Sequence, residues 1–169
     1  RDKRVRQAIN YAVNKQAIVD RVLRGYAMVM GQPCAEATDC YNPDIEPYPY
    51  DPEKAKQLLN EAGVGEFELS FQFSSGVAAG AREVAQAIAS DLAAVGIRTD
   101  PVDVERGQFL QDFTDGVGQH KGLGDIFMMY YAAGVRPQNV VLKRVLTMGD
   151  SWNAMHYNNP EVTEMIQRA

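Results

Sequence analysis

The best candidates for ligand chemistry in this sequence are small hydroxyl side chains beside a predicted strand end. Ser74 and Ser75 precede Gly76 directly after a segment of alternating apolar residues. Hydroxyls ahead of a helix can donate hydrogen bonds to a bound ligand, although an ordinary turn and helix cap is the more frequent role of such residues. Trp152 lies in a polar stretch, where its ring is equally suited to stack on a ligand or to cover the edge of a core.

The other polar residues form no pattern typical of catalysis or metal binding. His120 and His156 lie far apart, and neither has a Cys or Ser partner in a recognisable nucleophile motif. Asp39, Asp44 and Glu46 are close in sequence, but their spacing matches no calcium-binding loop. We therefore predict no catalytic residue, no metal site and no cofactor. An enzyme of the hydrolase type is the weaker of the functional hypotheses.

Cys34 and Cys40 are the two cysteines of the chain, and five residues of one polar stretch separate them. This arrangement favours a short disulfide over two unrelated thiols, because both residues fall in a loop-like segment rather than on an apolar face. A disulfide would imply an oxidising compartment. A zinc site is disfavoured, since no histidine is nearby and the spacing fits no zinc pattern.

The first part of the chain predicts three amphipathic helices that must support these residues. Apolar residues recur at helical spacing through the first 25 positions, where Asn14 can cap a second helix and Gly25 can end it. A third helix begins at the N-cap Asp51 and ends at Gly63. Between them, residues 26–50 are rich in Pro, Asn, Asp and Tyr and predict a long irregular segment.

The second part predicts a parallel sheet. Alternating apolar and polar residues indicate a strand at 67–73, and a helix at about 81–95 leads to a second strand at 97–104. This order with short returns is typical of a right-handed parallel crossover. The uninterrupted apolar run at 126–131 suits a central strand covered on both faces. The fold class is therefore α/β, with a mainly parallel sheet flanked by helices.

Three further helices are predicted towards the end of the chain. Two short ones are expected at 107–113 and 140–146, and the last begins at Asn159–Pro160. Its apolar residues at helical spacing are expected to face inward: Val162, Met165 and Ile166.

Size and charge limit the classes of protein that fit. The 169 residues are enough for one domain with its own core. A net charge of −5 argues against a nucleic-acid partner, and no apolar run is long enough to span a membrane. The chain opens on Arg1 without an initiator Met and stops at Ala169 inside a predicted helix, so we expect both ends to be cut.

Four collinear stretches resemble one family of transport receptors. Arg4–Ile18 resembles a helix pair of the extracellular solute-binding proteins of family 5. Asp51–Gly63 resembles the helix of these proteins that has the sequence DPEKAKQLL. Ala85–Ile97 is similar to the next helix and strand of these proteins. Tyr157–Val162 resembles the sequence YSNPEV near the end of the matching part of the family. Each stretch alone is little more than a capped helix, but together they cover nearly the whole chain. The family delivers peptides, nickel and related ligands to ABC importers.

The resemblance implies a periplasmic-binding-protein-like (type II) lobe. Residues 1–169 would form a single α/β lobe, the C-terminal one of two lobes that trap ligand between them. The partners would be a small-molecule or peptide solute and, in the full protein, the membrane subunits of the importer. The location would be periplasmic or extracellular, with membrane association only through a missing N-terminal anchor. The alternative function is a ligand-sensing regulatory module with the same fold.

The same resemblance suggests ligand-binding residues after the run 126–131. Peptide-binding relatives carry there an aromatic residue, matched by Tyr130 or Tyr131, and an Asp that pairs with the amino group of the ligand. That Asp position falls on Ala133 or Gly134, so the counter-charge for a buried amine is absent. Arg136 could bind a carboxylate through its two-pronged guanidinium, or could equally be a solvated loop residue. The sequence therefore predicts a solute without a free amino terminus, such as a sugar, a blocked peptide or an anion.

Overall fold

A three-stranded parallel sheet with helices packed against it forms the centre of the molecule. The computed structural model describes residues 2–32, 34, 36, 41–115, 124–129, 146, 153 and 157–168. The strands are β1 (Phe67–Phe73), β2 (Ile97–Asp103) and β3 (Ile126–Met128). The helices are α1 (Lys3–Ala12), α2 (Lys15–Ala17), α3 (Pro52–Glu61), α4 (Ala81–Ala93), α5 (Arg106–Asp115) and α6 (Pro160–Arg168).

Strand β1 lies between the other two, and both pairings are parallel. Phe67 pairs with Ile97 and Phe73 with Asp103, so β1 and β2 run side by side over their full length. β3 joins the other edge of β1 near its carboxyl end, where Phe71 pairs with Ile126. The parallel sheet predicted from the order of strand, helix and strand is confirmed.

Apolar and polar residues alternate along β1 because one face of the sheet is strongly buried, as the sequence predicted. Phe71 and Phe73 are each 1% exposed and pack on Ala81 and Ala85 of α4. In the described residues, the apolar run that begins at Ile126 forms the three residues of β3, which are half-buried and pair with β1. Its placement as a central strand stays a prediction.

Side-chain caps begin the helices where the sequence indicated. Asp51 accepts a hydrogen bond from the N–H of Lys54 at 2.8 Å, and Asn14 accepts one from Ala17 at 3.0 Å. Such caps satisfy N–H groups that have no partner inside the helix. At the other end of α3, Gly63 has a φ of +70°, a conformation that only glycine adopts without strain.

The main core lies between the sheet and the first three helices. α1 packs against α3 and also contacts α4, which lies on the sheet. The Asp91 carboxylate of α4 accepts a hydrogen bond from the backbone N–H of Asn14 at 2.8 Å, which ties the start of α2 to α4. The buried apolar residues of this core are Ala8, Ala12, Val13, Ile18, Ala55, Leu58, Leu59, Leu92, Val95 and Ile97.

Three details differ from the expectations or lie beyond the described residues. Helix α2 continues directly into a π-helical turn over Ile18–Val22, and the spacing of apolar residues did not indicate this change of helix type. The inward orientation expected for Met165 is wrong, because its side chain is 63% exposed. The short helix expected at 140–146 lies outside the described residues apart from Leu146, which is helical. None of the helices in the described part of the chain has the length and apolar character needed to cross a bilayer.

Replacing Gly31 with alanine is expected to destabilise the irregular segment by about 2 kcal/mol. A Cβ atom on Gly31 would lie 2.5 Å from the carbonyl carbon of Glu46 and 2.6 Å from the nitrogen of Pro47. These are backbone atoms, which cannot move aside as a flexible side chain does. Urea denaturation followed by circular dichroism measures the effect.

The matched control for this substitution is Gly65→Ala. A Cβ on Gly65 meets no atom within 4 Å. The control should therefore leave the midpoint of unfolding nearly unchanged, since it adds a methyl group in open space. Equal midpoints for the two variants would show that the segment near Gly31 can open without cost.

Candidate functional site

The carboxyl ends of the three strands lie at one edge of the sheet, where ligands bind in open α/β folds. Ser74 follows β1, Val104 follows β2 and Met129 follows β3. The N–H of Val104 donates to the carbonyl oxygen of Phe73 at 2.8 Å, so the pairing of β1 with β2 continues to this edge. The chain segments that leave the two strands are therefore held side by side.

Three polar side chains form what we call the strand-tip cluster: Ser75, Arg82 and Asp103. The Asp103 carboxylate accepts the backbone N–H of Ser75 at 2.9 Å and the hydroxyl of Ser75 at 2.6 Å. It also pairs with the guanidinium of Arg82. Arg82 in turn lies with its Cζ 6.0 Å from the centre of the Phe73 ring. The cluster thereby joins the ends of β1 and β2 to the first turn of α4.

The two serines predicted as ligand contacts have different surroundings. Ser74 is 2% exposed, and its buried hydroxyl oxygen has no hydrogen-bond partner among the residues that the structure describes. Ser75 is exposed, and both of its donors are used by Asp103. A serine hydroxyl also has two acceptor lone pairs, and within the described residues those of Ser75 accept no hydrogen bond. Ligand binding by either serine stays a prediction.

Electrostatics at the cluster favour the charged form of Asp103. The two hydrogen bonds from Ser75 and the nearby positive charge of Arg82 hold the pKa of the Asp103 carboxyl below its ordinary value. Because the side chain of Arg82 is 57% exposed, solvent screens the charge–charge part of this effect. The hydrogen bonds from Ser75 are its larger cause.

The stability of the fold should depend on pH in the acid range because of the strand-tip cluster. A carboxyl whose pKa is lower in the folded state adds stability above its unfolded pKa of about 4, and this stability is lost as the pH falls below that value. We expect Asp103→Asn to flatten the dependence of unfolding free energy on pH between about 4 and the lower folded pKa. Urea denaturation at a series of pH values measures this dependence.

Asp100→Asn is the control for the titration, because Asp100 is an exposed carboxylate on the same strand. Its carboxylate makes neither a hydrogen bond nor an ion pair with the described residues. The lowered pKa values of Asp2 and Glu105 shape the acid limb of every variant equally. Identical profiles for the Asp103 variant and wild type would contradict the expected linkage.

Beside the cluster, Glu105 fixes the start of α5. Its carboxylate accepts the N–H groups of Gly107 at 2.7 Å and Gln108 at 3.1 Å, which also lowers the pKa of Glu105. α5 contacts the turn that contains Ser75, and Phe109 of α5 is 4% exposed. Both α4 and α5 thus contact the turn that follows β1 at this edge of the sheet.

Most of the other predicted site residues lie outside the described part of the chain. These are Tyr130, Tyr131, Ala133, Gly134, Arg136 and Trp152, together with Cys40. Cys34 is described: it is 3% exposed, and the described residues include no free thiol. Its pairing with Cys40 stays a prediction. In the ranges that the structure describes, no three His, Cys, Asp or Glu side chains gather as a set of metal ligands.

Sequence reasoning did not identify Asp103 or Arg82. The two side chains meet over 21 positions of sequence, so no local spacing indicates the pair. One signal was present in the sequence. When the two strands are paired in parallel, the acidic residue that ends β2 lies opposite the end of β1, next to the serine turn. That inference needed the register of the strands as well as their existence.

The parallel sheet flanked by helices has the fold class of type II periplasmic binding proteins. The chain belongs to the bacterial extracellular solute-binding proteins of family 5, because the model described as "Bacterial extracellular solute-binding proteins, family 5 Middle" matches residues 1–153. This confirms the family that the four stretches of sequence indicated.

Individual relatives agree with this assignment. Heme-binding protein A of Haemophilus influenzae is 39% identical over 67% of this chain and 21% of its own length. The dipeptide-binding protein of Escherichia coli is 37% identical over 73% of this chain and 24% of its own. The structure of HbpA2 from Haemophilus parasuis superposes with a TM-score of 0.83 at 25% identity, over 98% of this chain and 32% of that one. The chain thus spans between a fifth and a third of the length of these proteins.

Proposed function

We propose that this chain is part of the solute-binding component of an ABC importer and captures a small solute between itself and the rest of the protein. The observation that carries the proposal is the parallel strand edge with an exposed polar cluster in a member of family 5. The relatives are named for the haem and the dipeptide that they bind, which favours import over a ligand-sensing regulator. Residues 1–169 would form the C-terminal lobe of the complete receptor.

Capture would follow from an equilibrium between open and closed arrangements of two lobes. A solute that contacts both lobes stabilises the closed arrangement, and only contacts absent from the open one shift the populations. The strand edge is suited to this role because its polar groups are held before the solute arrives, which lowers the entropic cost of binding. Function would be exerted in the periplasm or at the outer cell surface, in contact with the membrane subunits of the importer.

The proposed solute lacks a free amino terminus. The support is in the sequence, where Ala133 and Gly134 stand at the position of the Asp that pairs with a peptide amine in relatives. A buried ammonium without a counter-charge is strongly disfavoured. Arg136 nearby would bind a carboxylate or another anionic group of the solute.

Calorimetry on the natural protein that contains this chain tests both parts of the proposal. The probes are trialanine, N-acetyl-trialanine, glutathione and haem, after native mass spectrometry has searched for a co-purified solute. We expect tighter binding of N-acetyl-trialanine than of trialanine, and a loss of about tenfold or more in affinity for N-acetyl-trialanine with Arg136→Ala.

Arg98→Ala is the matched control, because Arg98 lies near the amino end of β2, away from the strand tips, and is 66% exposed. It should not change the affinity for any probe. Tight binding of trialanine that survives Arg136→Ala would overturn the proposed solute class. Absence of binding to every probe, with no co-purified solute, would overturn the receptor function itself.

A further inference from the structure

We infer that Asp103 is a positioning residue, which holds the turn after β1 so that Ser75 presents its hydroxyl oxygen to the solute as a hydrogen-bond acceptor. The inference rests on the proposed function and adds to it the kind of group that this part of the site recognises. The solute group at Ser75 would be a neutral hydrogen-bond donor, an amide N–H or a hydroxyl.

The direction of the hydrogen bonds gives Ser75 its acceptor character. The single O–H of Ser75 is committed to Asp103 at 2.6 Å, and its backbone N–H is committed to the other oxygen of the same carboxylate at 2.9 Å. A serine that has no donor left can meet a ligand only through its lone pairs. Those lone pairs accept no hydrogen bond from any group in the described ranges, and the residue is exposed at the strand edge.

A hydrogen bond from the hydroxyl to a carboxylate also strengthens the oxygen as an acceptor. Donation to an ionised group pulls the proton away from the hydroxyl oxygen and leaves more negative charge on it, because linked hydrogen bonds polarise one another. Asp103 therefore acts on the solute through Ser75, and its own side chain is only 22% exposed.

Asp103 is suited to positioning because it is bound by groups from separate elements. It ends β2, it accepts two hydrogen bonds from the turn that follows β1, and it pairs with Arg82 in the first turn of α4. The guanidinium of Arg82 lies beside the site and repels a cationic group. This is the reason why the expected donor is neutral rather than an ammonium.

Hydrogen exchange tests the positioning. In Asp103→Asn one oxygen must replace two, so the N–H and O–H of Ser75 and the guanidinium of Arg82 cannot all keep their partners. Deuterium uptake over residues 74–80 should become about tenfold faster in this variant than in wild type. The same substitution on the same strand, Asp100→Asn, should leave this uptake unchanged. Unchanged uptake in the Asp103 variant would overturn the inference.

Affinity tests the acceptor role, with whichever of trialanine, N-acetyl-trialanine, glutathione and haem the wild-type protein binds best. Ser75→Ala should weaken that binding about tenfold in a protein that still melts cooperatively, and Ser75→Thr, which keeps the hydroxyl, should restore it. Asp103→Asn should weaken it to a similar degree, and Asp100→Asn should not.

The outcomes separate this inference from the function on which it rests. If wild type binds a probe and neither Ser75→Ala nor Asp103→Asn changes the affinity, the inference fails and the receptor function stands. A Ser75→Thr variant that binds as weakly as Ser75→Ala would also overturn it, because the hydroxyl would then have no role. If wild type binds no probe and carries no co-purified solute, the receptor function fails and the inference fails with it.

Discussion

Replacing Leu92 with alanine is expected to lower the free energy of unfolding by about 3 kcal/mol, within the range of 2–5 for a fully buried leucine. Leu92 is 0% exposed and lies on α4, the helix between the sheet and the first three helices. Its side chain packs in one cluster with Leu59 of α3 and Ile97 of β2. A cavity there removes contacts from both layers at once, and neither layer can move into it alone.

Leu110→Ala is the matched control for this substitution. Leu110 is also a helical leucine, but its side chain is 40% exposed on α5. The control should cost less than about 1 kcal/mol, because little apolar area returns to water. Urea denaturation of both variants measures the difference. Equal losses would contradict the assignment of α4 as the layer that joins sheet and helices.

Helices with a cap and a terminal glycine could be predicted from sequence, because the physics that fixes their ends is local. Asp51 and Asn159 each accept N–H groups of the first helical turn, as their residue types and positions indicated. Strand β1 could be predicted as well, since alternation directly reports one buried face. Met165 was placed wrongly because helical spacing identifies an apolar face but does not show what covers it.

The candidate site was less predictable than the fold, because its contacts join residues that are distant in sequence. Ser75 was identified from its place after a strand, but its partner Asp103 lies 28 positions away. Whether Ser75 acts as donor or acceptor depends on that partner, and no local pattern contains this information. The same holds for Asp91, whose carboxylate caps the start of α2 from 77 positions away.

The largest expected effect concerns the size of the protein that binds. We expect the 169-residue chain alone to bind at least about a hundredfold more weakly than the natural protein with the length of its relatives. Binding sites for small molecules enclose about 70–90% of the ligand surface, whereas one lobe offers a single wall. Calorimetry on both proteins, with whichever of N-acetyl-trialanine, trialanine, glutathione or haem binds the longer one best, gives the comparison.

The shorter chain must be folded for this comparison to have meaning, and its buried core leads us to expect a cooperative thermal transition. A chain that melts cooperatively and binds weakly supports capture between two lobes, since the groups at the strand edge are then present and insufficient. Equal affinity in the two proteins would place the whole binding surface within this chain. Closure of one lobe onto another would then contribute nothing to affinity, and the proposed capture between two lobes would be wrong.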